Sequence, residues 1–131
     1  MSLVLEDLKY SKQHEWVKIE GDIAIIGITD FAQHSLGDIV YLETKDIGEK
    51  VEAGESCGTI ESVKAAEDIY SPVSGTITEK NEEVINSPEK INQDPYGSWI
   101  IKLKEINKED LNQLMSAEEY KKYIETLEQE E

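Results

Sequence analysis

Lys64 stands in the run Glu61-Ser62-Val63-Lys64-Ala65-Ala66-Glu67-Asp68-Ile69-Tyr70-Ser71-Pro72-Val73-Ser74-Gly75. Before it, Gly54-Glu55-Ser56-Cys57-Gly58-Thr59-Ile60-Glu61 is punctuated by glycine and finishes β-branched, and after it Ala65 to Tyr70 runs into a Ser71-Pro72-Val73-Ser74-Gly75 turn. The lysine therefore falls at a turn between two strands. An amine held at a hairpin tip, away from the body of a fold, can be reached from several directions and given a covalent group. The pattern reads as a modification site. A lone lysine on an acidic chain is ordinarily a solvated surface residue, and it is the flanking run that lifts Lys64 above that class. A lysine amine is protonated near neutrality and cannot attack an acyl donor unaided, so an attaching enzyme must supply the base.

The other reactive side chains carry less. His14, His34 and Cys57 are dispersed without the spacing of zinc ligands. Cys57 has no nucleophile signature around it and reads as a packed thiol. Gly54-x-x-x-Gly58 lacks the Gly-Lys-Ser/Thr ending of a phosphate-binding loop. The residues spell no catalytic constellation, so the chain reads as a substrate for other enzymes and not as an enzyme.

The elements that must hold the lysine are mostly strands. Glu15 to Glu20 alternates, Gly21-Asp22 turns, and Ile23-Ala24-Ile25-Ile26-Gly27-Ile28 returns as an apolar partner. Thr29-Asp30 offers an N-cap for a short helix, Phe31 to Leu36, with Phe31, Ala32 and Leu36 inward and Gly37 ending it in a left-handed conformation. Ile39 to Leu42 is a further strand, and the glycines of Asp46 to Gly54 mark short strands with tight turns. Thr76 to Lys80 follows, then one helical turn started by Pro88, a turn at Asp94-Pro95-Tyr96-Gly97, and a closing strand from Trp99 to Leu103. Leu111, Leu114 and Met115 sit at helical spacing. Ser116 with Glu119 makes a capping box for a second helix, whose stripe of Tyr120, Ile124 and Leu127 should pack on the sheet, with a frayed acidic end beyond Leu127. The length and the 38% hydrophobic content suit one domain over 1–131, its β core at about 8–104 and its C-terminal helices at about 107–128.

Leu8-Lys9-Tyr10, His14-Glu15-Trp16-Val17, Gly27 to Gln33, Leu36 to Val40, Val51, Gly54-Glu55, the lysine run, Asn92 to Gly97 and Trp99 together, in order, resemble the H proteins of the glycine cleavage system. The resemblance covers most of the chain. It implies a barrel-sandwich hybrid, the lipoyl/biotinyl hammerhead of two small sheets related by a pseudo-twofold, with the lysine at a hairpin and short helices at the termini. It implies lipoic acid in amide linkage to Lys64, attached by a lipoate ligase or octanoyltransferase. It further implies a shuttle that takes an aminomethyl group from the pyridoxal-phosphate glycine decarboxylase (P protein) to the tetrahydrofolate-dependent aminomethyltransferase (T protein), with dihydrolipoamide dehydrogenase (L protein) reoxidising the dithiol. Glu15 and Asp68 match family positions suited to a cleft for the cationic loaded arm. A histidine discussed near the arm in related H proteins has no counterpart: Ser35 stands there, with His34 beside it. An H-like relay that passes lipoate to 2-oxoacid dehydrogenases is a second reading, which the sequence does not separate from the first. A biotin carrier would prefer Met beside the lysine, where this chain has Val63 and Ala65.

Thirteen Lys and Arg against 29 Asp and Glu give a net charge of −16. Such a chain is repelled by nucleic acid and by anionic membrane, so the expected partners are proteins with basic docking faces. The same charge would keep a carrier soluble and monomeric. One cysteine allows no internal disulfide and suits a reducing compartment. No apolar run approaches a membrane span, and the start has no basic or arginine-rich targeting pattern. The expectation is a cytoplasmic protein, or a mitochondrial-matrix one had a eukaryotic presequence been removed. Met1-Ser2-Leu3 reads as an expression remnant.

Overall fold

The computed structural model describes residues 2–129. Nine strands run in chain order as β1 (Lys9–Tyr10), β2 (Glu15–Glu20), β3 (Ile23–Ile28), β4 (Ile39–Thr44), β5 (Lys50–Val51), β6 (Ser56–Ser62), β7 (Ala66–Tyr70), β8 (Gly75–Lys80) and β9 (Ile101–Lys104). Between and after them lie α1 (Asp30–Leu36), α2 (Glu82–Asn86), α3 (Lys90–Gln93), a 3-10 turn over Lys108–Gln113 and α4 (Ala117–Gln129). The strands form two antiparallel sheets. The larger has the order β1-β2-β3-β9-β8-β5 and the smaller the order β4-β6-β7, so β4 and β7 are both edges.

The near-continuous apolar run of β3 follows from its place in the larger sheet, where it lies between β2 and β9 and is covered on both faces. On one face Ala24, Ile26 and Ile28 join Val17, Leu42, Ile60, Ile69, Ile77 and Leu103 in the core between the sheets. On the other, Ile25 meets Tyr10, Trp16, Tyr120 and Ile124, so α4 covers the outer side of the larger sheet. Tyr120 and Ile124 of the expected stripe pack there with Ala117, whereas Leu127 is half-buried and outside that cluster. The capping box is also present: Glu119 N–H donates to Ser116 Oγ at 3.2 Å, and Ser116 N–H donates to Glu119 Oε1 at 2.9 Å.

Thr29 caps α1, its Oγ1 accepting the Ala32 amide at 3.2 Å, and Gly37 ends the helix with φ +81°. Leu36 enters the core while Phe31 and Ala32 are half-buried, and the helix also buries Gln33. Several boundaries differ from the sequence reading. The last strand begins at Ile101, because the carbonyls of Trp99 and Ile100 are taken by the Asn81 side chain and the Asn81 amide. Two short helices, α2 and α3, stand where one helical turn was expected. The segment holding Leu111 is a 3-10 turn and not an α-helix: Met115 pairs as an isolated bridge with Tyr10, donating at 2.8 Å and accepting at 2.9 Å, and this draws the chain extended. Of the acidic end, α4 continues through Gln129, and Glu130 and Glu131 lie outside the described residues, as does Met1.

Candidate functional site

The site is built on the β6–β7 hairpin. Glu61 pairs with Ala66, so Ser62 and Ala65 close a turn whose tip is Val63-Lys64. Neither tip residue has positive φ, which excludes the mirror-image turns that hairpins favour, and Val63, being β-branched, would resist them. The Ser62 side chain stabilises the turn instead. Its Oγ accepts the amides of Lys64 at 3.3 Å and Ala65 at 3.1 Å, while Ser62 N–H donates to the Ala65 carbonyl at 2.8 Å. Lys64 is exposed. Among the described residues, no carboxylate lies within ion-pair distance of its amine, which leaves the nitrogen available for an amide bond.

One side of the hairpin leans on the segment between α1 and β4. The Val63 amide donates to the Asp38 carbonyl at 3.0 Å. The lysine stem runs beside Gly37, where a Cβ would touch Lys64 Cε at an ordinary contact distance of 3.4 Å.

On the other side lies the β1–β2 loop, with Ser11 bonded to Glu15 across Lys12, Gln13 and His14. His14 takes φ +72°, the left-handed residue that closes a three-residue hairpin loop. Its ring is held by Tyr120, whose hydroxyl lies 2.8 Å from His14 Nδ1 and 2.8 Å from Thr29 Oγ1. Burial holds the imidazole neutral, with its pKa lowered to about 4. A hollow of about 500 Å³ opens between this loop and β7, lined by Gln13, His14, Ala66, Glu67, Asp68 and Tyr70.

The hollow takes in Asp68 but not Glu15, which the sequence reading set in the same cleft. Glu15 is 2% exposed. Its carboxylate accepts the Ser11 hydroxyl and, at 3.1 Å, the Tyr70 amide on the free edge of β7. Burial pushes its pKa up to about 7, with the nearby Glu67 carboxylate adding in the same direction. Asp68 is exposed, paired in register with Thr59. Alternation along β7 turns Glu67 toward the face of buried Ile69 and Asp68 toward the other. Glu67, the acid facing Glu15, was not singled out from the sequence, and neither were Gln13 and Gly37's contact with the lysine. His34 lies on α1 and is largely exposed, its Nε2 3.6 Å from Asp30. Cys57 is packed as expected. It is 1% exposed with its thiol pushed up to about 12 by burial, hence unreactive.

Comparison with known proteins gives one family throughout. The model of the glycine cleavage H-protein family matches residues 8–127. A glycine cleavage system H protein of Carboxydothermus hydrogenoformans is 56% identical over 126 residues, covering 95% of this chain and 97% of that protein. One from Thermoanaerobacter sp. is 54% identical, covering 92% and 96%. The crystal structure of a glycine cleavage system H protein from Mycobacterium marinum superposes with a TM-score of 0.80 at 36% identity, over 89% of this chain and 95% of that one. A match that spans the lysine hairpin, the His14-Glu15-Trp16 strand and α4 places the two-sheet carrier fold and its exposed lysine in one lineage: the chain belongs to the glycine cleavage H-protein family.

Proposed function

We propose that this chain carries a lipoyl group in amide linkage to Lys64. In that form it moves the aminomethyl group of glycine from the pyridoxal-phosphate glycine decarboxylase to the tetrahydrofolate-dependent aminomethyltransferase, and dihydrolipoamide dehydrogenase reoxidises it. The observation that carries the reading is the exposed Lys64 amine at the tip of the β6–β7 hairpin, with no carboxylate partner among the described residues. The lipoyl group supplies a dithiolane that accepts electrons and a carbon unit through thiol–disulfide exchange. The chain's own residues supply presentation and shelter.

Presentation comes from Ser62 and the Asp38 carbonyl, which fix the tip without covering the amine. Shelter comes from the hollow beside β7. Asp68 and Glu67, which line it, give it negative potential suited to a cationic cargo, and exclusion of water there slows loss of the cargo. Glu15 acts from behind the strand edge, through its hold on the Tyr70 amide. The partners are the three enzymes named above and a lipoate ligase or octanoyltransferase; the chain works as a monomer in the cytoplasm, a single carrier domain.

Co-expression with a lipoate ligase tests attachment: intact mass gains one lipoyl increment, which maps to Lys64 and disappears in Lys64→Arg, whose guanidinium keeps the charge but forms no such amide. An increment on a different lysine overturns the assignment. Glycine-dependent carbon dioxide exchange with a decarboxylase partner tests the shuttle. A fully lipoylated protein that gives no exchange is a relay to 2-oxoacid dehydrogenases instead.

A further inference from the structure

Asn92 opens the Asn92-Gln93-Asp94-Pro95-Tyr96-Gly97 run, far along the chain from the lysine. Its side chain uses both donors and its acceptor: Nδ2 donates to Gln33 Oε1 at 3.0 Å and to the Gly37 carbonyl at 2.9 Å, and Oδ1 accepts the Ile39 amide at 2.9 Å. These partners are a buried residue of α1, the glycine that ends α1, and the first residue of β4. Asn92 thus ties together both ends of the Gly37-Asp38 crossing. The middle of that crossing faces the lysine hairpin, since the Asp38 carbonyl accepts the Val63 amide and Gly37 lies under the Lys64 stem.

We propose that Asn92 is a positioning residue for Lys64. By clamping the Gly37-Asp38 backbone it provides a fixed rest for the β6–β7 tip, so that the amine meets the attaching enzyme in one place. The tip's internal turn is secured by Ser62, and the pairing of β6 with β4 holds the hairpin as far as Ser62, opposite Ile39; beyond that register the tip has one further tie to the body. Val63 is 71% exposed, so apolar burial does not restrain it. The restraint is the Val63–Asp38 hydrogen bond, and that bond is only as rigid as the crossing that accepts it. Removing the Asn92 amide leaves the Ile39 N–H and the Gly37 carbonyl without their partners, and the crossing must then relax toward water. The inference rests on Lys64 being the point of attachment.

The test compares the unsubstituted chain with Asn92→Ala and with Asn81→Ala. The second removes an equally half-buried amide that donates to the Trp99 carbonyl at 2.8 Å, joining β8 to the lead-in of β9. Amide hydrogen exchange of Val63 and Ile39 is followed in the unmodified proteins, and the rate of lipoyl attachment is followed with purified ligase. Asn92→Ala speeds exchange at both amides about tenfold, the factor expected for losing hydrogen bonds of ordinary worth. It also lowers kcat/KM for attachment about fivefold, chiefly through KM, for the same reason. Asn81→Ala loses thermal stability but moves neither reading. Asn92→Ser, a milder change, shifts both in the same direction by less and serves if the alanine variant does not fold. Unchanged Val63 exchange overturns the inference, as does an attachment rate that stays at the unsubstituted value, or an equal effect of Asn81→Ala. If the unsubstituted chain takes no lipoyl group on Lys64, the attachment reading fails, and Val63 exchange still decides whether Asn92 holds the tip.

Discussion

Glu15 combines three properties that a surface acid does not have together: burial, a backbone amide from a strand that is 55 residues away in sequence, and a pKa raised from 4.5 to about 7. Below about pH 4.5 its carboxyl holds a proton in both the folded and the unfolded chain. As pH rises to about 7, the unfolded chain gives up that proton while the folded one keeps it, so this group's contribution to stability is lost over that window. Glu15→Gln removes the dependence and keeps an oxygen for the Tyr70 amide. Denaturant melts should show the unsubstituted protein losing up to about 3 kcal/mol relative to Glu15→Gln between pH 4.5 and pH 7. A difference that stays flat over that range means the carboxyl titrates normally. The lysine's place at a hairpin tip was legible in the sequence because its surroundings are local: glycine, β-branched residues and a Ser-Pro turn mark the hairpin whatever the rest of the fold does. The Glu15–Tyr70 contact was not, since no local pattern reports which strand edge a carboxylate will meet.

The β2–β3 hairpin was read with its correct ends because Gly21, at φ +63°, fixes the turn and the alternation of Val17 and Ile19 fixes the face. Helix α1 was read to within a residue from Thr29 and Gly37, the two positions where side chain and backbone conformation decide the ends. The misses have a common origin in distant contacts. Strand β1 is too short to show a period. Asn81, which stands at the start of α2, does not cap it, because its side chain reaches Trp99 instead. The bridge from Tyr10 to Met115 overrides helical spacing in the C-terminal segment. Within the larger sheet, Trp16 lies opposite Gly27, and the indole fills the space where a side chain would stand: a Cβ at Gly27 would come within 2.6 Å of the ring. The indole cannot move freely, since its N–H donates to the Pro95 carbonyl at 3.2 Å and its ring meets Tyr96. Gly27→Ala should therefore cost about 1–3 kcal/mol by overpacking and lower Tm by several degrees. Thermal melts followed by tryptophan fluorescence check it, and an unchanged Tm would mean the indole has another place to go. The same contact joins the His14-Glu15-Trp16 and Asp94-Pro95-Tyr96-Gly97 segments as two sides of one joint.

A net charge of −16 on 131 residues sets how the whole molecule meets others. Encounter with a basic docking face is accelerated at long range and screened by salt, whereas the short-range contacts that determine dissociation are screened far less. Association of the lipoylated protein with the decarboxylase should slow steeply as sodium chloride is raised, with dissociation changing little; stopped-flow or surface-binding kinetics separate the two. A salt-independent association rate would remove charge steering. The smaller sheet ends in β4 on one side and β7 on the other, and among the described residues neither is covered by a further strand. Glu43 sits along the first, Glu67 and Asp68 along the second, and Glu15 already occupies the Tyr70 amide. Two copies brought side by side would set like charges against each other where fibre growth would otherwise begin. Edge-to-edge growth between molecules is opposed by that charge, which leaves the hairpin tip, and not the strand edges, as the projecting part of the smaller sheet.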